Sequence, residues 1–167
     1  REVLAGLVFA TAGDTLLLFE GPLFFMLGLA AFLFTHISYI GGFWAVADIR
    51  KGFLRMQAAW VLPFAVFLVC FLWWLWPGIP AGMRLPVSLY STIISIMVLS
   101  IINLKGRISD GIFWPMLAGG LLFMLSDTIL AAGKFGHVAW ETGLAIMITY
   151  IAGQFLIAKS ARDILKA

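Results

Sequence analysis

Two aspartates, Asp14 and Asp127, sit inside long apolar runs of this sequence. Other polar side chains interrupt similar runs: His36 and Tyr39 three apart, Tyr90 with Ser95 and Asn103, and Tyr150 and Gln154 four apart. Spacings of three and four bring side chains to one face of a helix. Burial favours the neutral form of a carboxyl group, and a more polar niche favours the ionised form. Two carboxyls separated in this way can act as acid and base on one bond. Each residue also has a plainer reading. An aspartate can lie near a membrane interface or glue helices together through a hydrogen bond. His36 can be a neutral imidazole satisfied by a neighbour, and Tyr90 and Tyr150 can be ordinary packed aromatics. The case for chemistry rests on the set, because polar residues recur on several runs together with two acids. His137 falls between runs and reads as exposed.

The composition says what kind of element must position these groups. Of 167 residues, 63% are hydrophobic and 11% are charged. Soluble domains run near 45–50% apolar and about 25% charged, so a water-soluble fold is excluded. The apolar runs recur along the whole chain, so a signal peptide does not account for them. Six runs are long enough to span a bilayer: Val3–Phe19, Leu23–Ile40, Ala58–Trp76, Pro86–Leu104, Ile112–Ala132 and Thr142–Ala158. Turn residues flank them, including Glu20-Gly21-Pro22, Trp76-Pro77-Gly78-Ile79-Pro80 and Gly133-Lys134-Phe135-Gly136. The expectation is an all-α integral membrane protein, an up-and-down bundle of about six transmembrane helices forming one polytopic domain over residues 1–167. The runs do not alternate polar and apolar residues, which excludes a barrel. Arg1 stands first where Met is expected, which predicts a processed or trimmed chain. Cys70 is the sole cysteine, so no internal disulfide forms, and there is no Cys/His cluster for a structural zinc. Neither metal nor cofactor is expected.

Charge orients the bundle. Arg1, Arg50, Lys51, Arg55, Lys105, Arg107, Lys159, Arg162 and Lys166 fall on the side of the N-terminus. Only Arg84 and Lys134 fall on the other. This asymmetry predicts that both termini are cytoplasmic, with the inner membrane as the location in a bacterium. It also accounts for the net charge of +3 without nucleic acid as a partner. Trp73, Trp74 and Trp76 read as an aromatic anchor at the outer interface, and Phe43–Gln57 as an interfacial segment on the cytoplasmic surface.

A carboxylate at the centre of a spanning helix costs about 2.5–3.5 kcal/mol. Small residues accompany both acids: Gly6, Ala10 and Asp14 form one stripe, Gly120, Asp127 and Ala131 another. Small residues let helices approach closely in a bilayer, so both acids are expected to face the interior and to line one shared cavity. Asp14-Thr15-Leu16-Leu17 echoes Asp127-Thr128-Ile129-Leu130 on spans running in the same direction, which suits an internal parallel repeat. The same features suit a proton- or cation-coupled transporter. A non-enzymatic lipid-binding protein would leave the acids without a use.

These residues carry a family resemblance. Phe9-Ala10-Thr11-Ala12-Gly13-Asp14-Thr15-Leu16-Leu17 with Phe32, His36 and Tyr39 resembles the YhhN-like lysoplasmalogenases. So do Pro86-Val87 with Tyr90 and Met97, and Gly119-Gly120, Phe123, Ser126-Asp127-Thr128-Ile129-Leu130-Ala131, Phe135, Tyr150 and Gln154. The resemblance covers nearly the whole chain in order. It implies a membrane hydrolase that cleaves the vinyl-ether bond of lysoplasmalogens to a fatty aldehyde and a glycerophospho-ethanolamine or glycerophospho-choline. Members usually carry further hydrophobic sequence before the first Gly-Asp block, so one or two N-terminal helices are expected to be missing here. On this reading Asp14 and Asp127 are catalytic, and His36, Tyr39, Tyr90, Ser126, Tyr150 and Gln154 bind the lysophospholipid. Protonation of the alkene carbon gives an oxocarbenium ion, which one acid starts and a second carboxylate stabilises, as in paired-carboxylate glycosidases. His36 comes late in its oppositely directed span, so it is expected on the order of 10 Å from Asp14 in depth.

The charge asymmetry makes a direct prediction. A reporter that is active only outside the cytoplasm, fused after Ala167, should be silent. Strong activity there would reverse the assignment of sides.

Overall fold

The computed structural model describes residues 1–46, 52–136 and 142–166. Among them are seven α-helices: α1 Glu2–Leu17, α2 Pro22–Val46, α3 Phe53–Met56, α4 Val61–Leu75, α5 Arg84–Ile102, α6 Asp110–Phe135 and α7 Gly143–Ile164. All but α3 are long. Short 3₁₀ turns precede and follow α4 and lead into α5. Five stretches are long and apolar enough to cross a membrane, namely α2, Ala58–Gly78, Ala81–Ile102, α6 and α7. The first helix is equally apolar in character but has 16 residues, below the length of a usual span. The expected all-helical bundle is therefore what the chain forms.

Several boundaries follow from local chemistry. Gly21 adopts φ 121°, a conformation open to glycine, and turns the chain between α1 and α2. Pro22 then takes the first helical position, where its missing N–H costs nothing. The second helix runs to Val46, past the expected end at Ile40. Gly41 and Gly42 do not break it, because a side chain at Gly42 would press on Glu2 and Val3 at the start of α1. Phe43 is consequently buried in the core and Trp44 donates a hydrogen bond from Nε1 to Ser100 Oγ at 3.0 Å. The expected interfacial segment thus begins later than Phe43. Ile49, Arg50 and Lys51 of that segment, His137, and the C-terminal Ala167 lie outside the described residues. Of the remainder, Phe53–Met56 is held by Asn103, whose carbonyl accepts from Phe53 N–H and whose Oδ1 accepts from Leu54 N–H. Trp73, Trp74 and Trp76 are exposed, as an interfacial anchor requires.

The bundle core is built from aromatic rings set against glycines. The pairs α1 with α2 and α6 with α7 pack most extensively. A Cβ on Gly6 would strike the ring of Tyr39, and one on Gly13 would strike the ring of Phe32. A Cβ on Gly119 would lie 2.9 Å from the Gly153 carbonyl oxygen and 3.0 Å from Ile157 N. At Gly153 the obstacles are the Gly119 carbonyl and the Phe123 backbone, both at 2.9 Å. These are backbone-to-backbone approaches, the small-residue packing that replaces hydrophobic association inside lipid. By contrast α4 is peripheral, with 6% of its most apolar window buried.

The glycines therefore divide into two kinds. Gly119→Ala should lower stability by about 1–3 kcal/mol, the usual cost of overpacking. Gly41→Ala, which meets nothing within 4 Å, should be neutral or stabilise by up to about 1 kcal/mol. Thermal unfolding in detergent compares the two. Equal midpoints would refute the close α6–α7 approach.

Candidate active site

Five helices contribute polar side chains to the middle of the bundle, in two hydrogen-bonded groups. In the first, the Tyr90 hydroxyl of α5 donates to Asp127 Oδ2 of α6. His36 of α2 places Nε2 at 2.9 Å from the same hydroxyl and 3.4 Å from Asp127 Oδ2. His36 is fully buried and the Asp127 side chain is 13% exposed. One proton arrangement serves all three contacts: His36 Nε2–H donates to Tyr90 Oη, and Tyr90 donates to Asp127. It leaves His36 Nδ1 as a buried acceptor, and that atom has no partner among the described residues. A lone acceptor costs less than a lone N–H donor in the same place.

In the second group, the Tyr150 hydroxyl of α7 donates to Asp14 Oδ2 of α1 at 2.8 Å. Gln154, one turn along, donates from Nε2 to Tyr150 Oη at 3.4 Å. Its Oε1 accepts from the Tyr39 hydroxyl of α2 at 2.5 Å. Tyr39 is fully buried and Gln154 is 9% exposed.

Two phenylalanines join the groups. Phe123 packs edge-on against His36 at 4.9 Å between centroids and against Tyr150 at 5.3 Å. Phe32 packs edge-on against Tyr150 at 5.9 Å and Phe123 at 6.4 Å. The sequence-derived set of Asp14, His36, Tyr39, Tyr90, Asp127, Tyr150 and Gln154 is therefore brought to one region. Ser126 lies apart from it, because its hydroxyl donates to the Ile146 carbonyl at 3.1 Å and ties α6 to α7. Ser95 and Asn103 also serve structure, Ser95 through the Ser91 carbonyl and Asn103 through α3.

Three details differ from expectation. The buried stripe of α1 is Gly6, Ala10 and Gly13, and Asp14 is exposed at its edge. Gly13 takes the inward position because Phe32 fills the space there. His36 is not remote from Asp127. Side chains lean toward the N-terminus of their own helix, and α2 and α6 run in opposite directions, so His36 and Asp127 lean toward each other. Finally, the cavity beside Asp127 does not have Asp14 in its walls. Asp127 and Tyr90 open on an apolar cavity walled by Phe25, Leu29, Phe32, Phe67, Phe71 and Met124, among others. Asp14 is absent from its walls, although Leu17 of the same helix contributes. The contribution of α4 was not legible in the sequence, because Phe67 and Phe71 carry no polar signal.

Residues 1–161 match the YhhN family. The chain belongs to that family. It is 29% identical over 164 residues to lysoplasmalogenase TMEM86A of Bos taurus, an alignment covering 96% of this chain and 65% of the relative. It is 33% identical over 155 residues to lysoplasmalogenase TMEM86B of Homo sapiens, covering 93% of this chain and 61% of the relative. A lysoplasmalogenase of Mycobacterium tuberculosis is 29% identical over 161 residues, covering 94% and 59%. The chain thus spans less than two thirds of the length of these relatives. No solved structure matches it.

The two tyrosine contacts should differ in their cost of removal. Tyr39→Phe strips the donor from a Gln154 oxygen that is buried, and should destabilise by about 1–3 kcal/mol. Tyr150→Phe frees the exposed Asp14 to bond with water or head groups and should cost less. Thermal unfolding of the two variants would contradict this network if the order were reversed.

Proposed function

We propose that this chain hydrolyses the vinyl-ether bond of a lysoplasmalogen-type lipid, with Asp127 as the proton donor. The supporting observation is that Asp127, bonded to Tyr90 and beside His36, opens on a cavity walled by hydrocarbon and aromatic side chains. Such a cavity admits an alkyl chain and brings its first carbons to a carboxyl group. Most of the cavity's walls are apolar, which favours a lipid substrate over an ion path. Its relatives from Bos taurus and Mycobacterium tuberculosis are named lysoplasmalogenases, which supports this reading.

The chemistry needs one water and no other reactant. Asp127 in its acid form gives a proton to the alkene carbon distal to the ether oxygen. The C=C pair forms the new C–H bond, and the ether oxygen shares the resulting positive charge. Asp127, now a carboxylate beside the cation, keeps the Tyr90 hydrogen bond that steadies its charge. Water adds to the carbon next to the ether oxygen and loses a proton to a carboxylate. The hemiacetal then breaks at the ether C–O bond. The hydroxyl proton passes to the departing oxygen, giving the aldehyde and the glycerol alcohol. Asp14 serves as the second carboxylate, holding Tyr150 in place and adding negative potential to the region where the cation forms.

The mechanism is tested by substitution. Asp127→Asn keeps the shape of the side chain and removes its transferable proton. Aldehyde release from a lysoplasmalogen in detergent should fall about 10²–10⁴-fold, the usual range for general acid catalysis. Asp14→Asn should fall by less. Rate-limiting proton transfer to carbon should also give a normal solvent deuterium isotope effect. Near-parental turnover by a folded Asp127→Asn variant would end the proposal and favour the transporter reading.

A further inference from the structure

Two hollows meet on α6. One is the cavity that holds Asp127. The other is a groove on the flank of the bundle, walled by Pro63 and Phe64 of α4 and by Leu121 and Leu125 of α6. Phe67, Met124 and Thr128 line both. The helical repeat explains the junction. Leu121, Met124, Leu125 and Thr128 recur at helical spacing and present one face to α4. Asp127 borders that face, three residues from Met124 and next to Thr128. The groove also opens outward, since Leu121 and Leu125 are 44% and 46% exposed and α4 is barely buried.

We propose that this groove takes the hydrocarbon chain of a single-chain ether lipid, with the phosphate of its head group at Lys134. The inference rests on the vinyl-ether reading and adds how the substrate is held. In such a lipid the reacting double bond is the root of the chain. A chain whose root is at Asp127 must leave through apolar space, and the groove begins there. The spacing on α6 fits the rest of the molecule. From Asp127 to Lys134 is seven residues, roughly 10 Å at the helical rise. From phosphorus to the vinyl carbons is six or seven bonds, roughly 8 Å when extended. Lys134 Nζ lies 5.0 Å from the ring centroid of Phe25, which lines the cavity. This places a cation at the cavity's end nearest the α6 C-terminus, where an anionic head group would lie. In the other direction, Asp127 to Leu121 covers about 9 Å of α6, and the chain would continue between Leu121 and Phe64.

The test reads binding, not turnover. The probe is a lysophosphatidylethanolamine with a saturated, uncleavable ether link and a photoactivatable diazirine in mid-chain. The full chain is labelled in phosphatidylcholine vesicles and adducts are mapped by mass spectrometry. Adducts should fall on Phe64, Phe67, Leu121 or Leu125, and excess unlabelled lysoplasmalogen should suppress them. Thr128→Trp should cut labelling about tenfold, the effect of losing a couple of buried methylenes. Leu125→Trp, at the exposed rim, should act in the same direction and serves if Thr128→Trp does not fold. Lys134→Gln should weaken labelling and Lys134→Arg should preserve it. Equal labelling by a two-chain phosphatidylcholine probe would mean that the groove holds only bulk lipid, and adducts confined to α1 or α7 would equally overturn the proposal. Aldehyde release without groove adducts would overturn this inference alone. Groove adducts without aldehyde release would support the groove and overturn the hydrolase reading.

Discussion

The Tyr90 hydroxyl lies between His36 Nε2 and Asp127 Oδ2, and so ties α5 to α2 and α6 at one point. Inside a bilayer this contact matters more than it would in water. Lipid tails are as apolar as leucine, so helices gain nothing from hydrophobic association alone. A buried polar group without a partner costs several kcal/mol in hydrocarbon. The three side chains meet that demand together, because among the described residues nothing else partners the Tyr90 hydroxyl or His36 Nε2. The position of α5 in the bundle, and with it the wall of the cavity beside Asp127, depends on this shared hydroxyl.

Shape completes what the hydrogen bonds begin. Tyr39 can reach Gln154 because Gly6 leaves room for its ring. Phe32 can lie against Tyr150 because Gly13 leaves room for its own ring. The polar contacts at the centre thus rest on apolar contacts at its edge, and a methyl group at either glycine would displace a ring that orients a site residue. Asp14 and Asp127 are placed by different means. The first is reached by a tyrosine at the bundle surface, whereas the second is held within the bundle by two partners. That contrast is why a proton-transfer role fits Asp127 better than Asp14.

Composition and run length sufficed to read the helices of this bundle, because hydrocarbon thickness sets the length of a span whatever its partners are. The polar set was legible for a related reason: a tyrosine or glutamine in lipid stands out. What the runs could not specify is who meets whom. Asp14 was expected to end an inward stripe, yet Gly13 takes that direction because Phe32 needs the space. Ser126 adjoins an acid in sequence but bonds to α7. The second span was expected to end at Ile40, whereas α2 runs on to Val46 and Phe43 packs in the core. Apolar α4 gave no hint that it walls the cavity. In each case the deciding fact is a tertiary contact, which hydropathy does not encode.

The two acids also share a pattern that neither would reveal alone. Asp14 opens the α1–α2 pair and Asp127 belongs to the first helix of the α6–α7 pair, and these two pairs are the most closely packed in the bundle. Each acid is engaged by the second helix of the other pair. Asp14 accepts from Tyr150 on α7, and Asp127 lies against His36 on α2. Glycines set the close approach within both pairs, Gly6 and Gly13 in one, Gly119 and Gly153 in the other. Such crossed pairing is what two copies of a helix pair would give if they faced each other about an axis along the membrane normal. It matches the Asp-Thr echo of the sequence, whose two halves run in the same direction. The two pairs are not equal, however. Between them stands α5, which is part of neither pair, and its Tyr90 donates to Asp127 and not to Asp14. A hydroxyl on an intervening helix can bond only one of two related carboxylates at a time. The position of α5 between the pairs leaves Asp127 largely enclosed against Tyr90 and His36 and Asp14 at the surface, so two carboxylates in similar sequence settings have different surroundings.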